Sequence, residues 1–128
     1  GHLAGVTAAY HKDLVDFQIL LYPVITMQPG KTHAGSTSRF LGDNPPQSLV
    51  DAWSVHKLVG EDTPRAFVAY ATNDTVVPQE YNGAEMKSAL QKLANRDRHH
   101  VQVYDYGNHS SSSWTGFNEL LRDWMSQF

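Results

Sequence analysis

Residues 66–78, Ala-Phe-Val-Ala-Tyr-Ala-Thr-Asn-Asp-Thr-Val-Val-Pro, decide how this chain folds. From Ala66 to Ala71 the run is apolar and uncharged over the length of a strand. That is the pattern of a strand covered on both faces in a parallel sheet. Thr72-Asn73-Asp74-Thr75 then supplies polar turn formers, and Pro78 opens a segment of helical character. A carboxylate, Asp74, therefore stands just past the carboxyl end of a buried strand. In open α/β sheets, ligands and chemistry gather along that edge.

Toward the N-terminus, residues 1–10 are small and apolar and form a helix laid against a sheet, with no capping residue and no element before it. Phe17–Val24 is the first strand, and Pro23 is confined to its end. Residues 26–47 carry Pro29-Gly30, Gly35-Ser36, Gly42 and Asn44-Pro45-Pro46, a long irregular connection of the kind that builds lids or binding segments. Pro46–Trp53 is a short helix after it. Toward the C-terminus, Met86, Ala89, Leu90 and Leu93 recur at helical spacing within 79–95. Val101–Tyr106 is a third strand, Gly107–Ser113 a loop, and the last helix puts Phe117, Leu120, Leu121, Trp124, Met125 and Phe128 on one face. Such alternation implies a parallel sheet with right-handed crossovers, an α/β three-layer sandwich. Three parallel strands leave a bare edge, so the expectation is part of a larger sheet.

With 128 residues the chain makes one domain with a core and not two. A formal charge of −3, with no stripe of basic residues, argues against nucleic acid or an anionic membrane surface as partner. The absence of cysteine removes disulfides and thiolate metal sites from consideration and leaves the compartment, cytoplasmic or secreted, unreadable. No apolar stretch approaches the roughly 20 residues of a membrane span.

An acid at a strand end calls for a partner, and the loop after the next strand holds Gly107-Asn108-His109. Consecutive parallel strands end on one rim, so Asp74 and His109 are expected to meet there. A carboxylate that accepts the proton of one imidazole nitrogen fixes the tautomer and leaves the other nitrogen free as a general base. Either residue alone would be an ordinary loop residue, Asp74 capping its own turn and His109 solvated; the pairing is the informative feature. His2, His33, His56, His99 and His100 form no metal-ligand spacing, and neither a metal nor a cofactor is expected. Ser36 and Ser110–Ser113 sit on no strand-to-helix elbow and read as loop serines. Pro23, Val77 and the 26–47 connection are the expected pocket walls.

These residues resemble a known family. Gly1-His2-Leu3-Ala4-Gly5 is similar to the segment just after the nucleophile in esterases of the α/β-hydrolase fold, whose elbow runs Gly-x-Ser-x-Gly-Gly-His-Leu-Ala. Phe17–Val24 resembles the next strand of that family, Thr63-Pro64-Arg65-Ala66-Phe67 the lead into its acid strand, Asn73–Pro78 its Asp-x-x-Val-Pro acid loop, and Tyr104–His109 its histidine loop. Thr32–Ser36 and Leu41–Pro45 are similar to the bacterial acetyl esterase and acetylxylan-esterase-like group. The resemblance implies a serine, histidine, acid triad with Asp74 as the acid and His109 as the base. It implies that residues 1–128 are the C-terminal portion of one hydrolase domain, its serine and oxyanion loop upstream, since no Gly-x-Ser-x-Gly occurs here. Asn108 departs from the family, which often has glycine before the histidine, and Ser110–Ser113 replace the usual glycine and aromatic. The expected substrate is a short-acyl ester, acetyl on a carbohydrate, and the chain alone is expected to be inactive. Its bare edge is expected to meet the missing N-terminal half or a second copy. The alternatives are a non-catalytic hydrolase-fold remnant acting as an interaction module and, more weakly, a flavodoxin-like domain, for which Tyr22-Pro23 offers no phosphate-binding turn.

Overall fold

The computed structural model describes residues 1–128. Three strands, β1 (Phe17–Leu21), β2 (Arg65–Ala71) and β3 (His100–Tyr104), form one parallel sheet in the order β1-β2-β3. Five α-helices accompany them: α1 (His2–Tyr10), α2 (Ala34–Leu41), α3 (Gln47–Ala52), α4 (Gly83–Gln91) and α5 (Phe117–Met125).

The reading of 66–71 as a doubly covered strand holds: every residue from Ala66 to Ala71 is at most 4% exposed. Alternate residues face two different cores, as the two-residue period of a strand requires. Ala66, Val68 and Tyr70 face a largely aliphatic core with Val6, Leu20, Ile25, Val55, Met86 and Leu90. Phe67, Ala69 and Ala71 face an aromatic one with Tyr104, Trp114, Phe117 and Trp124. The sheet is thus the middle of three layers. Burying a side chain such as Phe67 completely contributes about 1.5–3 kcal/mol, which is why this strand tolerates no charge.

The first and third strands end sooner than the sequence reading has them, at Leu21 and Tyr104 rather than Val24 and Tyr106, and two further elements differ in kind. The 26–47 connection is not irregular throughout, because α2 occupies its middle. Its apolar content is too sparse to announce a helix. It is held instead by Thr37, which is buried and donates to the Met27 carbonyl at 3.2 Å, and by Phe40, packed edge-on against Trp53. Gly42, at φ +82°, ends it in a conformation that side chains resist. The helix expected over 79–95 is interrupted. A 3₁₀ turn, Gln79–Tyr81, precedes α4, and Asn82 at φ −120°, ψ −86° breaks the two apart. The α4 helix then meets β2 at Gly83, where a Cβ would fall 2.4 Å from the Tyr70 ring.

Register carries the fold to the site. Leu21 pairs with Ala69 and Ala71 with Tyr104. The ladder continues past both ends, with Tyr22 N–H donating to the Ala69 carbonyl at 2.7 Å and Thr72 N–H to that of Tyr104 at 2.8 Å. The three strands therefore stop nearly level, and the loops that leave them share one rim. The outer edges of β1 and β3 pair with no strand.

Candidate active site

The rim holds Asp74 and His109 together. His109 Nδ1 lies 2.8 Å from Asp74 Oδ2. A carboxylate brings no proton to such a contact, so Nδ1 donates and Nε2 keeps its lone pair. The Asp74 side chain is fully buried while that of His109 is 31% exposed, so the acid is sealed behind a base that substrate can reach.

The turn itself builds the acid's position. Oδ1 accepts the Val76 and Val77 amides, each at 2.9 Å, closing the turn that Asn73-Asp74-Thr75 begins. Oδ2 also accepts Gln79 Nε2 at 3.3 Å. Burial works to raise the carboxyl pKa, but the Val77 amide, the His109 imidazole and the Val76 amide outweigh it and hold the group below the ordinary carboxylate value. Asp74 is thus an anion at neutral pH.

The histidine loop is tied to the acid loop by three further contacts. Asn108 Oδ1 accepts Thr75 N–H at 2.8 Å and the Thr75 hydroxyl at 3.0 Å, and Asn108 N–H donates to Asn73 Oδ1 at 3.0 Å. Asn108 sits at φ +52°. Asparagine tolerates this left-handed region better than other residues with a side chain, so Asn108 takes the turn and adds the link to Thr75. Gly107, at φ +105°, has no such freedom, since a Cβ would fall 2.3 Å from Trp114 Nε1. The Tyr22 ring, at 4.6 Å between centroids, packs on the His109 ring from the end of β1.

His109 opens onto a cleft of about 510 Å³. Val77 lines it, and so do Met27, His33, Ser36 and Phe40 from the 26–47 connection. Pro23 does not. It is buried beneath Gly1, where an added Cβ would lie 2.8 Å away, and its carbonyl accepts Gln79 Nε2 at 3.4 Å. Pro23 shapes the floor from below. Of the serines considered, Ser36 reaches the cleft and Ser110–Ser113 do not. The imidazole of His2 donates from Nε2 to the Trp53 carbonyl at 2.8 Å and meets Phe40 edge-on, in keeping with a packing role.

Several residues that build the site carry no distinguishing mark in the sequence. Asn82 is completely buried, and its Oδ1 accepts the Ile25 and Thr26 amides at 2.8 and 3.0 Å and the Thr32 hydroxyl at 3.4 Å. Its Nδ2 donates to the Lys31 and Pro78 carbonyls. Ser54 Oγ accepts Met27 N–H and donates to the Val50 carbonyl. Between them these two side chains fix the start of the cleft wall. An asparagine among helix-forming residues gives no local sign of such a role; only the unpaired backbone of 25–32 hints that something must satisfy it.

Known proteins share this architecture. An acetylxylan esterase of Xylanibacter ruminicola is 31% identical over 131 residues, spanning 96% of this chain and 27% of that protein. The acetyl ester-xyloside bifunctional hydrolase of Caldicellulosiruptor lactoaceticus, whose structure is known, superposes with a TM-score of 0.77 at 27% identity, over 88% of this chain and 42% of that one. The chain has the α/β-hydrolase fold and is similar to esterases of that fold. Endo-1,4-beta-xylanase B of Butyrivibrio fibrisolvens is also similar, at 38% identity over 93 residues, 62% of this chain and 14% of the xylanase. No family model matches the chain. These relatives are much longer, this chain spanning about a quarter of the acetylxylan esterase.

Proposed function

We propose that this chain is the acid–base half of a serine carboxylic-ester hydrolase that removes short acyl groups, acetyl above all, from carbohydrate. The observation that carries the reading is the 2.8 Å contact between buried Asp74 and partly exposed His109 at the mouth of an apolar cleft. In this reading residues 1–128 are the C-terminal portion of the catalytic domain. The nucleophilic serine comes from the segment before Gly1, as do the oxyanion donors, the amide after that serine and one from an upstream loop.

Each residue then has a defined task. His109 Nε2 takes the hydroxyl proton as the serine oxygen bonds to the acyl carbon. It returns that proton to the departing alcohol, and in a second round it activates water to release the acid. Asp74 keeps the Nδ1 proton in place and balances the imidazolium charge that forms in both rounds. Val77 and the 26–47 wall bound the acyl and alcohol portions.

The likeness to a xylanase raises glycoside cleavage as a second reading. That chemistry uses two carboxyl groups about 5–9.5 Å apart across the bond. No Asp or Glu lines the cleft, and Asp74 is sealed behind His109. Ester hydrolysis fits the groups present.

The test is turnover of p-nitrophenyl acetate and acetylated xylan by the longer polypeptide that contains this chain, against its His109→Ala variant. We expect His109→Ala to lower kcat by about 10⁴-fold or more and the 128-residue chain alone to show no turnover. Undiminished turnover in His109→Ala would favour a non-catalytic, interaction-module role for this half. Turnover by the short chain that depends on His109 would contradict the upstream serine.

A further inference from the structure

The cleft holds a second polar constellation. His33 Nδ1 lies 3.1 Å from Ser36 Oγ, one turn apart at the start of α2. Both side chains line the cleft that His109 enters. Neither has a further hydrogen-bond partner within the chain. The backbone that presents them is anchored on both sides by buried threonines. Thr32 donates to Asn82 Oδ1 at 3.4 Å, and Thr37 donates to the Met27 carbonyl at 3.2 Å. Two accessible polar side chains are thus held between fixed points and aimed at the same space as the base.

We propose that His33 and Ser36 recognise substrate hydroxyl groups and so select polyhydroxylated, saccharide-type esters over plain alkyl or aryl esters. This rests on the ester-hydrolase reading of Asp74 and His109. The chemistry of the lining favours a neutral, hydroxyl-bearing ligand. No Asp, Glu, Lys or Arg side chain stands on the part of the cleft that this chain lines, so a charged substrate group would lose its hydration there and find no counter-charge on this wall. A hydroxyl both donates and accepts, and so does the serine hydroxyl that contacts the His33 ring. Phe40, 47% exposed beside them, offers the apolar surface that the C–H face of a sugar ring covers. A site built to hydrogen-bond a substrate hydroxyl discriminates against an analogue that lacks it, because its own polar groups are then left unpaired.

The experiment compares kcat/KM for acetylated methyl β-xyloside and for p-nitrophenyl acetate in the longer polypeptide. The ratio of the two is read in wild type, Ser36→Ala, His33→Phe and His33→Gln. We expect the ratio to fall about 10-fold in Ser36→Ala and in His33→Phe, the worth of one or two lost hydrogen bonds. His33→Gln, which keeps a donor and an acceptor, should restore most of it. An unchanged ratio overturns the proposal, whether or not both rates decline together. A readout without turnover uses the His109→Ala background. There, calorimetric titration with deacetylated methyl β-xyloside should show binding that Ser36→Ala weakens about 10-fold, and binding that Ser36→Ala leaves intact overturns the proposal. Failure of the underlying reading looks different: His109→Ala alone would keep its turnover of both esters.

Discussion

Two histidines at opposite ends of the sheet use the same ring nitrogen in opposite ways. At the carboxyl ends of the strands, His109 Nδ1 donates to the Asp74 carboxylate. Near the amino ends, His99 Nδ1 accepts the Ala66 amide at 3.2 Å, and its charged neighbours are Arg98, Arg65 and, opposing them more weakly, Glu61. Burial, then Arg98 and Arg65, push the His99 pKa down to about 4, so that ring stays neutral. The ring type is common to both; what differs is the neighbour. A carboxylate turns an imidazole into a base with a free nitrogen, whereas a backbone amide and two guanidinium groups turn it into a structural acceptor.

The sharpest way to break this comparison is to remove the carboxylate's charge and keep its shape. In the serine hydrolase proposed above, Asp74→Asn is expected to lower kcat for p-nitrophenyl acetate by about 10³–10⁴-fold, since the amide favours the wrong tautomer of His109. A loss below tenfold would show that the contact is structural, as it is at His99.

Next in size is the neutral scaffold on which the rim and the cleft wall depend. Asn82→Ala strips partners from two buried amides, one hydroxyl and two carbonyls. At about 1–3 kcal/mol for each buried group left unpaired, and with some relaxation, a loss of about 3–5 kcal/mol is expected in urea unfolding. A loss under about 1 kcal/mol would mean that water replaces the side chain and that Asn82 is no hub.

His99 gives the pH test of its own half of the comparison. Its folded pKa of about 4 lies below the ordinary 6.5, so the unfolded chain binds the extra proton first. The stability that the neutral ring supports is present above about pH 6.5 and is lost as pH falls toward 4. The side chain is partly exposed, and solvent screening reduces the effect to about 1–2 kcal/mol. His99→Gln should flatten unfolding free energy over that window, measured at intervals from about pH 7 to about pH 4; an unaltered slope contradicts the assignment.

Smallest is Asn108→Gly. Glycine accepts φ +52° without strain but loses both bonds to Thr75, which are exposed. The two effects nearly offset, and thermal unfolding should shift by the equivalent of about 1 kcal/mol or less. A larger loss would make the Asn108–Thr75 link the principal tie between the acid and histidine loops.

How much of this is legible in the sequence depends on where each element finds its partners. The strand at 66–71 announces itself because burial on both faces forbids charge, and Asp74 and His109 are found by counting from strand ends. The α5 stripe is legible in the same way, although Met125 and Phe128, given to its inward face, are 39% and 48% exposed. The α2 helix is not legible, because Thr37 and Phe40 secure it through contacts distant in sequence. The break at Asn82 is hidden for the same reason: helical periodicity runs through it, and the Ile25, Thr26 and Thr32 partners that justify it come from a different part of the chain. Pro23 reads as a lining residue because a strand end can meet the cleft or the floor beneath it, and periodicity does not separate the two.

The claim at the centre is that His109 Nδ1 carries the shared proton and leaves Nε2 free. Nitrogen-15 NMR of the neutral imidazoles reads this directly. The account predicts the Nδ1–H tautomer for His109, switched off by Asp74→Ala, alongside the Nε2–H tautomer for His99. An Nε2–H tautomer at His109 in the wild-type chain would contradict it.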